Sequence, residues 1–305
     1  MIAKAPGKLV LSGAYSVLFG APAIVTTVDR YVTADSSRTA EFVTPEVLAA
    51  LPANVPAPVF DASELRSEFG KLGLGSSAAI LVASLGALEP EPPTTEALTQ
   101  LTRRALLAHR TAQGGGSGID VLASVQGGTL VVRTQTEAEL PGFKAVTLPF
   151  GLHWSVWFSG RSTSTSAMIA QVNQLRSLHR RRFDAILTPL SNAAEDAARA
   201  IELNQASDLL AALRVQGSQL QLLGEAADVD IVTRETLELD RLAQAEGALC
   251  MPSGAGGGDV MLRVGVTEPG AQFVALSQSL GFVRLPLVLG APGLHFPQAR
   301  RGRAL

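Results

Sequence analysis

The chain is poor in the residues that staple or metallate a fold. Among 305 residues there is one cysteine, Cys250, and only four histidines, at 109, 153, 179 and 295. A single cysteine excludes an intrachain disulfide framework and suits a reducing, cytoplasmic setting. The histidines are too scattered for a zinc site. Charged residues make up 17% and the net charge is −2, so no basic excess points to nucleic acid as a partner. No glycine loop runs into Gly-Lys-Ser/Thr at the required spacing, which excludes a P-loop. Long apolar runs are also scarce. Residues 9–28 carry no charge and follow Lys4 and Lys8, imitating a signal peptide or anchor. Gly13, Gly20 and Pro22 interrupt that run, and Thr26-Thr27 leads into Asp29-Arg30. Two buried strands joined by a tight turn explain it better, and no membrane partner is expected.

Hydrophobic residues reach 47%, enough for one large or two medium domains with a sizeable core. Residues 2–12, 15–18 and 22–34 read as strands between glycine and proline punctuation. Residues 40–69 read as loop with a short helix near 45–51. A helix is expected from Ser76 to about Leu88, stopped by the prolines at 90, 92 and 93. A second is capped by Thr94 or Thr95, with apolar residues at 98, 101, 105 and 108. A short third follows Gly118 and ends at Gly127-Gly128, before a strand over Thr129–Arg133. Beyond a boundary set near Pro149-Phe150-Gly151, a strand is expected at 153–158. Three or four helices then fill 163–246, and a strand (260–266), a helix (269–280) and a last strand (282–288) follow. This divides the chain into domains 1–150 and 151–305. The basic tail Arg300–Arg303 reads as a solvated end.

Three glycine-rich segments carry the chemistry. The most informative is Lys71-Leu72-Gly73-Leu74-Gly75-Ser76-Ser77-Ala78-Ala79, a glycine turn running into a helix start. Such a turn leaves backbone N–H groups free at the positive end of the helix dipole, where they hold anionic oxygens. The hydroxyls of Ser76 and Ser77 could also ligate a magnesium ion carried by a nucleotide. Ala5-Pro6-Gly7-Lys8 puts a lysine at a strand start, where it could reach a reacting hydroxyl or phosphate; alone, it reads more readily as a solvated edge residue. Gly114-Gly115-Gly116-Ser117-Gly118-Ile119-Asp120 places Asp120 in a first helical turn, where the dipole keeps it ionised, as catalyst or as mere cap. Pro252-Ser253-Gly254-Ala255-Gly256-Gly257-Gly258-Asp259 is either a hairpin loop or a nest of N–H groups closing on phosphate.

Taken in order, Ala5–Lys8, Gly73–Ala79 and Ser253–Gly258 resemble the three motifs of the GHMP kinase superfamily. The resemblance spans nearly the whole chain. It implies an α+β fold of two domains, one like ribosomal protein S5 and one ferredoxin-like, with the active site between them. It also implies ATP held by Gly73, Leu74, Gly75, Ser76, Ser77 and Ala78, with Gly254, Ala255, Gly256 and Gly257 closing over it and Ser76 and Ser77 near magnesium. Within the superfamily the details resemble phosphomevalonate kinases: Gly13-Ala14-Tyr15, Lys71 before the phosphate loop, Ser159-Gly160-Arg161 with Ser164-Thr165, and Asp259 after the last glycines. His109 with Ala112-Gln113-Gly114 resembles the run that precedes the catalytic aspartate there, whereas mevalonate kinases carry a magnesium-binding glutamate near that position. Ala14 departs from the usual glutamate or glycine, and residues 35–70 are compressed.

The resemblance therefore implies transfer of the ATP γ-phosphoryl group to a small phosphorylated acid, with Lys8, Lys71 and Asp120 as catalytic candidates. Tyr15, Lys71, Gly116, Ser117, Arg161, Ser164, Thr165, Gly256 and Asp259 are the candidates for holding the acceptor. Cations suit such an anion, with Arg30 and Arg180–Arg182 lower in rank. A phosphate acceptor needs little general-base help, so Asp120 as an obligatory base fits a hydroxyl acceptor better. The alternatives are a mevalonate or sugar kinase of the same superfamily and a non-catalytic metabolite-binding relative; monomer and homodimer stay equally open.

Overall fold

Two main antiparallel sheets, each with its own helices, build the described part of the protein, beside one two-stranded hairpin. The structure is a computed structural model of the chain and describes residues 1–68, 70–90, 92–134, 140–161 and 163–297. The basic tail at 300–303 lies outside the described residues.

The first sheet pairs β1 (Ile2–Ser12) with β2 (Ala23–Thr39), and β2 with β6 (Thr129–Arg133), which pairs with β7 (Gly142–Val146). The short strand β3 (Pro58–Asp61) joins the far end of β2. Helix α2 (Ser76–Leu88) packs against both β1 and β2. Its residues Ala78–Ala87 are all buried, because α1 (Pro45–Ala50), α3 (Thr95–Gln113) and α4 (Ile119–Gln126) cover its other sides. A helix enclosed on every side must be apolar all round, and small residues let it sit close. A Cβ on Gly86 would come within 2.7 Å of Leu294 Cδ1. Thr94 caps α3, accepting a hydrogen bond from the Ala97 N–H at 3.3 Å.

The second sheet has the order β11-β8-β10-β9, formed by β8 (His153–Phe158), β9 (Leu249–Pro252), β10 (Val260–Gly265) and β11 (Val283–Leu285). Helices α5 (Thr165–Leu178), α6 (Arg180–Glu202), α7 (Ala206–Ala227) and α8 (Arg234–Ala245) connect β8 to β9, and α9 (Ala271–Ser279) connects β10 to β11. That order with those two helical crossovers is the split βαβ, ferredoxin-like arrangement. The architecture is α+β, as the motifs imply. The expected boundary near 150 falls between β7 of the first sheet and β8 of the second. After β11, however, the chain returns to the first sheet: Lys4 N donates to His295 O at 2.8 Å and His295 N to Lys4 O at 2.9 Å.

Several local expectations need correction. Residues 15–18 are not a strand, and no tight turn joins β1 to β2. A 3-10 turn, Ser16–Phe19, lies there, because Tyr15 sits at φ 61, ψ −50, outside any extended conformation. The 40–69 stretch holds β3 and the start of a small hairpin, β4 (Arg66–Ser67) with β5 (Gly70–Lys71), where only loop was expected. The edge strand β7 was missed because it is mostly exposed and lacks apolar alternation.

Candidate active site

Lys8 is a central residue of β1 and is only 8% exposed. Its backbone N–H donates to Leu74 O at 2.9 Å, which ties the strand to the loop leading into α2. In that loop Gly73 and Gly75 have φ of 72° and 74°, and Gly75 is the N-cap of α2 without any side-chain cap. The first-turn amides of α2 are therefore left without a side-chain acceptor, at the positive end of the helix. Both glycines are also needed for space. A Cβ on residue 73 would lie 2.7 Å from Asp259 Cβ, and one on residue 75 would lie 2.8 Å from Lys8 Cε. The loop is thus wedged between a lysine and an aspartate from opposite ends of the chain.

Asp120 stands in the first turn of α4, preceded by Gly118 at φ 73. Its Oδ2 lies 3.3 Å from Lys8 Nζ. The lysine side chain is 9% exposed and the aspartate 31%, so the pair is closed on one side and open to a cleft on the other. Such a pair can orient an acceptor atom and neutralise charge that builds up on it.

The third glycine segment closes the site from the second sheet. Ser253 Oγ accepts from Val10 N–H at 3.0 Å and donates to Val10 O at 3.1 Å. Tyr15 O–H donates to Ala255 O at 2.6 Å, and burial pushes its phenol pKa up. Tyr15 is held in a γ-turn, with Ser16 N–H donating to Ala14 O at 2.7 Å, a strained conformation that clusters at functional sites. Gly257 N–H donates to Ile231 O at 3.2 Å. Thr163 knits the segment to α5: its N–H donates to Asp259 Oδ1 at 2.8 Å and its hydroxyl to Gly257 O at 2.7 Å.

These parts enclose three adjoining cavities, and Asp120 and Thr165 line all of them. One of about 420 Å³ has Lys8, Lys71, the glycine loop with Ser76, Ser77 and Ala78, and Asp259 on its walls. A second of about 450 Å³ lies between Gly114–Gly118 and one face of α5. A small one of about 110 Å³ is lined by Lys8, Tyr15, Ser117 and Ser253–Ala255. Lys8, Lys71, Asp120, Gly73, Gly75, Ser76, Ser77, Ala78, Tyr15, Gly116, Ser117, Ser164, Thr165, Gly254, Ala255 and Asp259 therefore share one connected site.

Four of the expected site residues stand apart from the cavity walls. Leu74 is buried in the core and serves the site through its carbonyl. Gly256 and Gly257 pack against Ile231 O and Thr163 and shape the loop from behind. Arg161 is exposed and pairs with Glu235 at 3.2 Å. Arg30 and Arg180–Arg182 are absent from these walls too, and Arg180 pairs with Asp184. Sequence reasoning did not place Thr163, Ser166, Phe19 or Arg176 in the site. Thr163 could have been suspected from its neighbours Ser164 and Thr165; nothing local marks the others. His109, read only as part of a motif, lines both large cavities and is 6% exposed. Burial lowers its pKa, Asp120 and Glu46 oppose that shift, and Lys8 and Arg110 reinforce it.

The chain is similar to phosphotransferases of the GHMP kinase superfamily. The family described as "GHMP kinases N terminal domain" matches residues 58–128, which hold the phosphate loop and Asp120. The chain is 28% identical to a mevalonate kinase of Archaeoglobus fulgidus over 85% of its length and 90% of that protein's. It is 24% identical to a phosphomevalonate kinase of a Streptomyces species, covering 96% of this chain and 98% of the relative. The solved Streptococcus pneumoniae phosphomevalonate kinase in complex with phosphomevalonate and AMPPNP has the same fold, with TM-score 0.75 and 19% identity. It covers 95% of this chain and 99% of that one.

Proposed function

We propose that this protein is an ATP-dependent kinase of the mevalonate pathway whose acceptor is 5-phosphomevalonate, giving 5-diphosphomevalonate. The observation that carries the kinase reading is the Lys8–Asp120 pair, 3.3 Å apart, beside the uncapped start of α2. The residues fit a nucleotide triphosphate: the loop is spaced by Lys8 on one side and Asp259 on the other, so the amides from Gly73 to Ala78 would hold its phosphates. Among the described residues no three carboxylates, histidines or cysteines cluster as a metal cage. That donor set suits a magnesium ion bound mainly by phosphate oxygens, with the Ser76 and Ser77 hydroxyls beside it. ATP with magnesium supplies the transferable phosphoryl group and neutralises part of its charge.

The chain's own residues do the rest. Lys8 lies where negative charge develops between donor and acceptor, and its burial makes that charge count for more than it would in water. Asp120 holds the Lys8 ammonium and faces the acceptor atom. Lys71 on β5 adds a second cation to the wall of the 420 Å³ cavity. Tyr15 and the segment 253–255 shut the small cavity behind the acceptor and exclude water.

The phosphorylated acceptor is supported by the motif details, namely His109 with Gln113-Gly114, Lys71 and Asp259, and by the phosphomevalonate kinase relatives. Mevalonate is the second reading. Asp120 is suitably placed to take a hydroxyl proton, and the relatives include mevalonate kinases. A coupled ADP-release assay offering mevalonate, 5-phosphomevalonate and galactose separately tests both. Turnover with 5-phosphomevalonate alone is expected. Turnover only with mevalonate replaces the acceptor and keeps the kinase, and turnover with none removes both.

A further inference from the structure

Several of the arginines are engaged by acidic side chains. Arg133, Arg161, Arg180, Arg263 and Arg284 each pair with a carboxylate at 3.2 Å or less. Arg176 differs. Its guanidinium carbon sits 5.0 Å above the centre of the Phe19 ring, and among the described residues no carboxylate pairs with it. Phe19 is itself fixed, meeting the buried Phe183 edge-to-face with ring centres 5.1 Å apart. The stack holds one side of a planar fork and leaves its N–H groups directed elsewhere.

Arg176 also faces the site. It lines the 450 Å³ cavity that Asp120 also lines. Along α5 the residues Thr165, Ile169, Asn173 and Arg176 line the same cavity, at the three- and four-residue spacing of one helix face. From Thr165 to Arg176 the helix rises about 16 Å, and the arginine side chain leans back toward the earlier turns. Besides Asp120, Arg176 is the only wall residue of that cavity among the described residues with a permanent charge, since burial holds His109 toward its neutral form. The lining thus carries an anion beside the reacting centre, hydroxyls and an amide, and a cation further along α5.

We propose that Arg176 recognises the distal carboxylate of the acceptor, with Asn173 beside it, so that the acceptor lies along α5 with its phosphoryl-accepting end at Lys8 and Asp120. This rests on the acceptor-site reading above and adds the specificity residue. The carboxylate is gripped in a bidentate manner by a guanidinium that Phe19 pre-orients, which explains why this arginine is held by a ring rather than by a protein carboxylate.

The test compares the wild-type enzyme with Arg176→Ala, Arg176→Lys and Arg180→Ala. Each is given 5-phosphomevalonate, mevalonate and the carboxamide of 5-phosphomevalonate, with turnover and equilibrium binding both read. Loss of one charge-assisted contact should raise the acceptor KM at least about tenfold in Arg176→Ala. kcat and the KM for ATP should change much less. Arg176→Lys should recover part of the loss. The carboxamide should bind wild type weakly and be insensitive to Arg176→Ala, and Arg180→Ala should leave the acceptor KM within twofold. An unchanged acceptor KM in Arg176→Ala, or an equal loss for acid and carboxamide, overturns the assignment and leaves the kinase reading standing. Wild type that neither binds nor turns over either acid removes that reading and the assignment with it.

Discussion

Gly75 and Lys8 touch in such a way that any side chain on residue 75 would displace the lysine: a Cβ there would stand 2.8 Å from Lys8 Cε and 3.1 Å from its Cγ. The same residue holds φ at 74°, a conformation costing a non-glycine residue about 1 kcal/mol. Gly75→Ala should therefore lower stability modestly while moving Lys8 off Asp120. The expected result is a loss of kcat of a hundredfold or more with a melting temperature only a few degrees lower. Near-normal kcat would mean that the position of Lys8 does not matter.

Asp120→Asn keeps the shape of the side chain and removes its charge. Turnover should fall by orders of magnitude in a folded protein. The loss should be larger with a hydroxyl acceptor than with a phosphate, because the phosphate is already ionised. Turnover measured with mevalonate and 5-phosphomevalonate, beside a melting curve, reads both effects. A variant close to wild type with both acceptors would remove Asp120 from the chemistry.

Much of this arrangement could be read from residue order because glycine announces itself. Gly73, Gly75, Gly114–Gly116 and Gly118 all have positive φ, and their clustering beside helix starts marked the loops before any contact was known. The apolar runs of β1, β2 and α2 were legible because burial on several sides removes polar interruptions. What stayed hidden depends on contacts between distant residues. Tyr15 to Phe19 carry strand-like composition, and only the γ-turn and the hydrogen bond to Ala255 take them out of a strand. The pairing of Arg161 with Glu235, 74 residues away, is one such contact. Arg176 was one basic residue on an ordinary helix until Phe19 and the cavity gave it a direction.

Gln216 shows the same point through stability. It is fully buried on α7, accepts from Gly13 N–H at 2.8 Å, and donates to Ser12 Oγ at 2.8 Å and Ala193 O at 3.2 Å. Those bonds join the helices of the second half to the turn that carries Tyr15. Gln216→Leu would leave several buried polar groups unpaired, at about 1–3 kcal/mol each, so a loss of roughly 2–5 kcal/mol is expected. For a chain this long that lowers the melting temperature by several degrees. The acceptor KM should rise as well, because Tyr15 loses its support. A melting temperature within a degree of wild type would show that the amide network is dispensable.

His109 makes stability depend on pH in a window where few other groups titrate. Its folded pKa lies below the ordinary 6.5 because burial disfavours the imidazolium, with Lys8 and Arg110 adding to the shift and Asp120 and Glu46 acting against it. Just below pH 6.5 the unfolded chain therefore binds more protons than the folded one, and stability must fall as pH drops toward the folded pKa. The carboxylates with lowered pKa, Glu195, Glu235 and Glu268, start from ordinary values of 4.5 and lose their contribution only below that. A melting series from pH 8 to 5.5 isolates the histidine. Wild type should lose stability between about 6.5 and 5.5, and His109→Asn should show a flatter profile there. Parallel profiles would mean that the imidazole is protonated in the folded protein as easily as in water, and would overturn the burial argument.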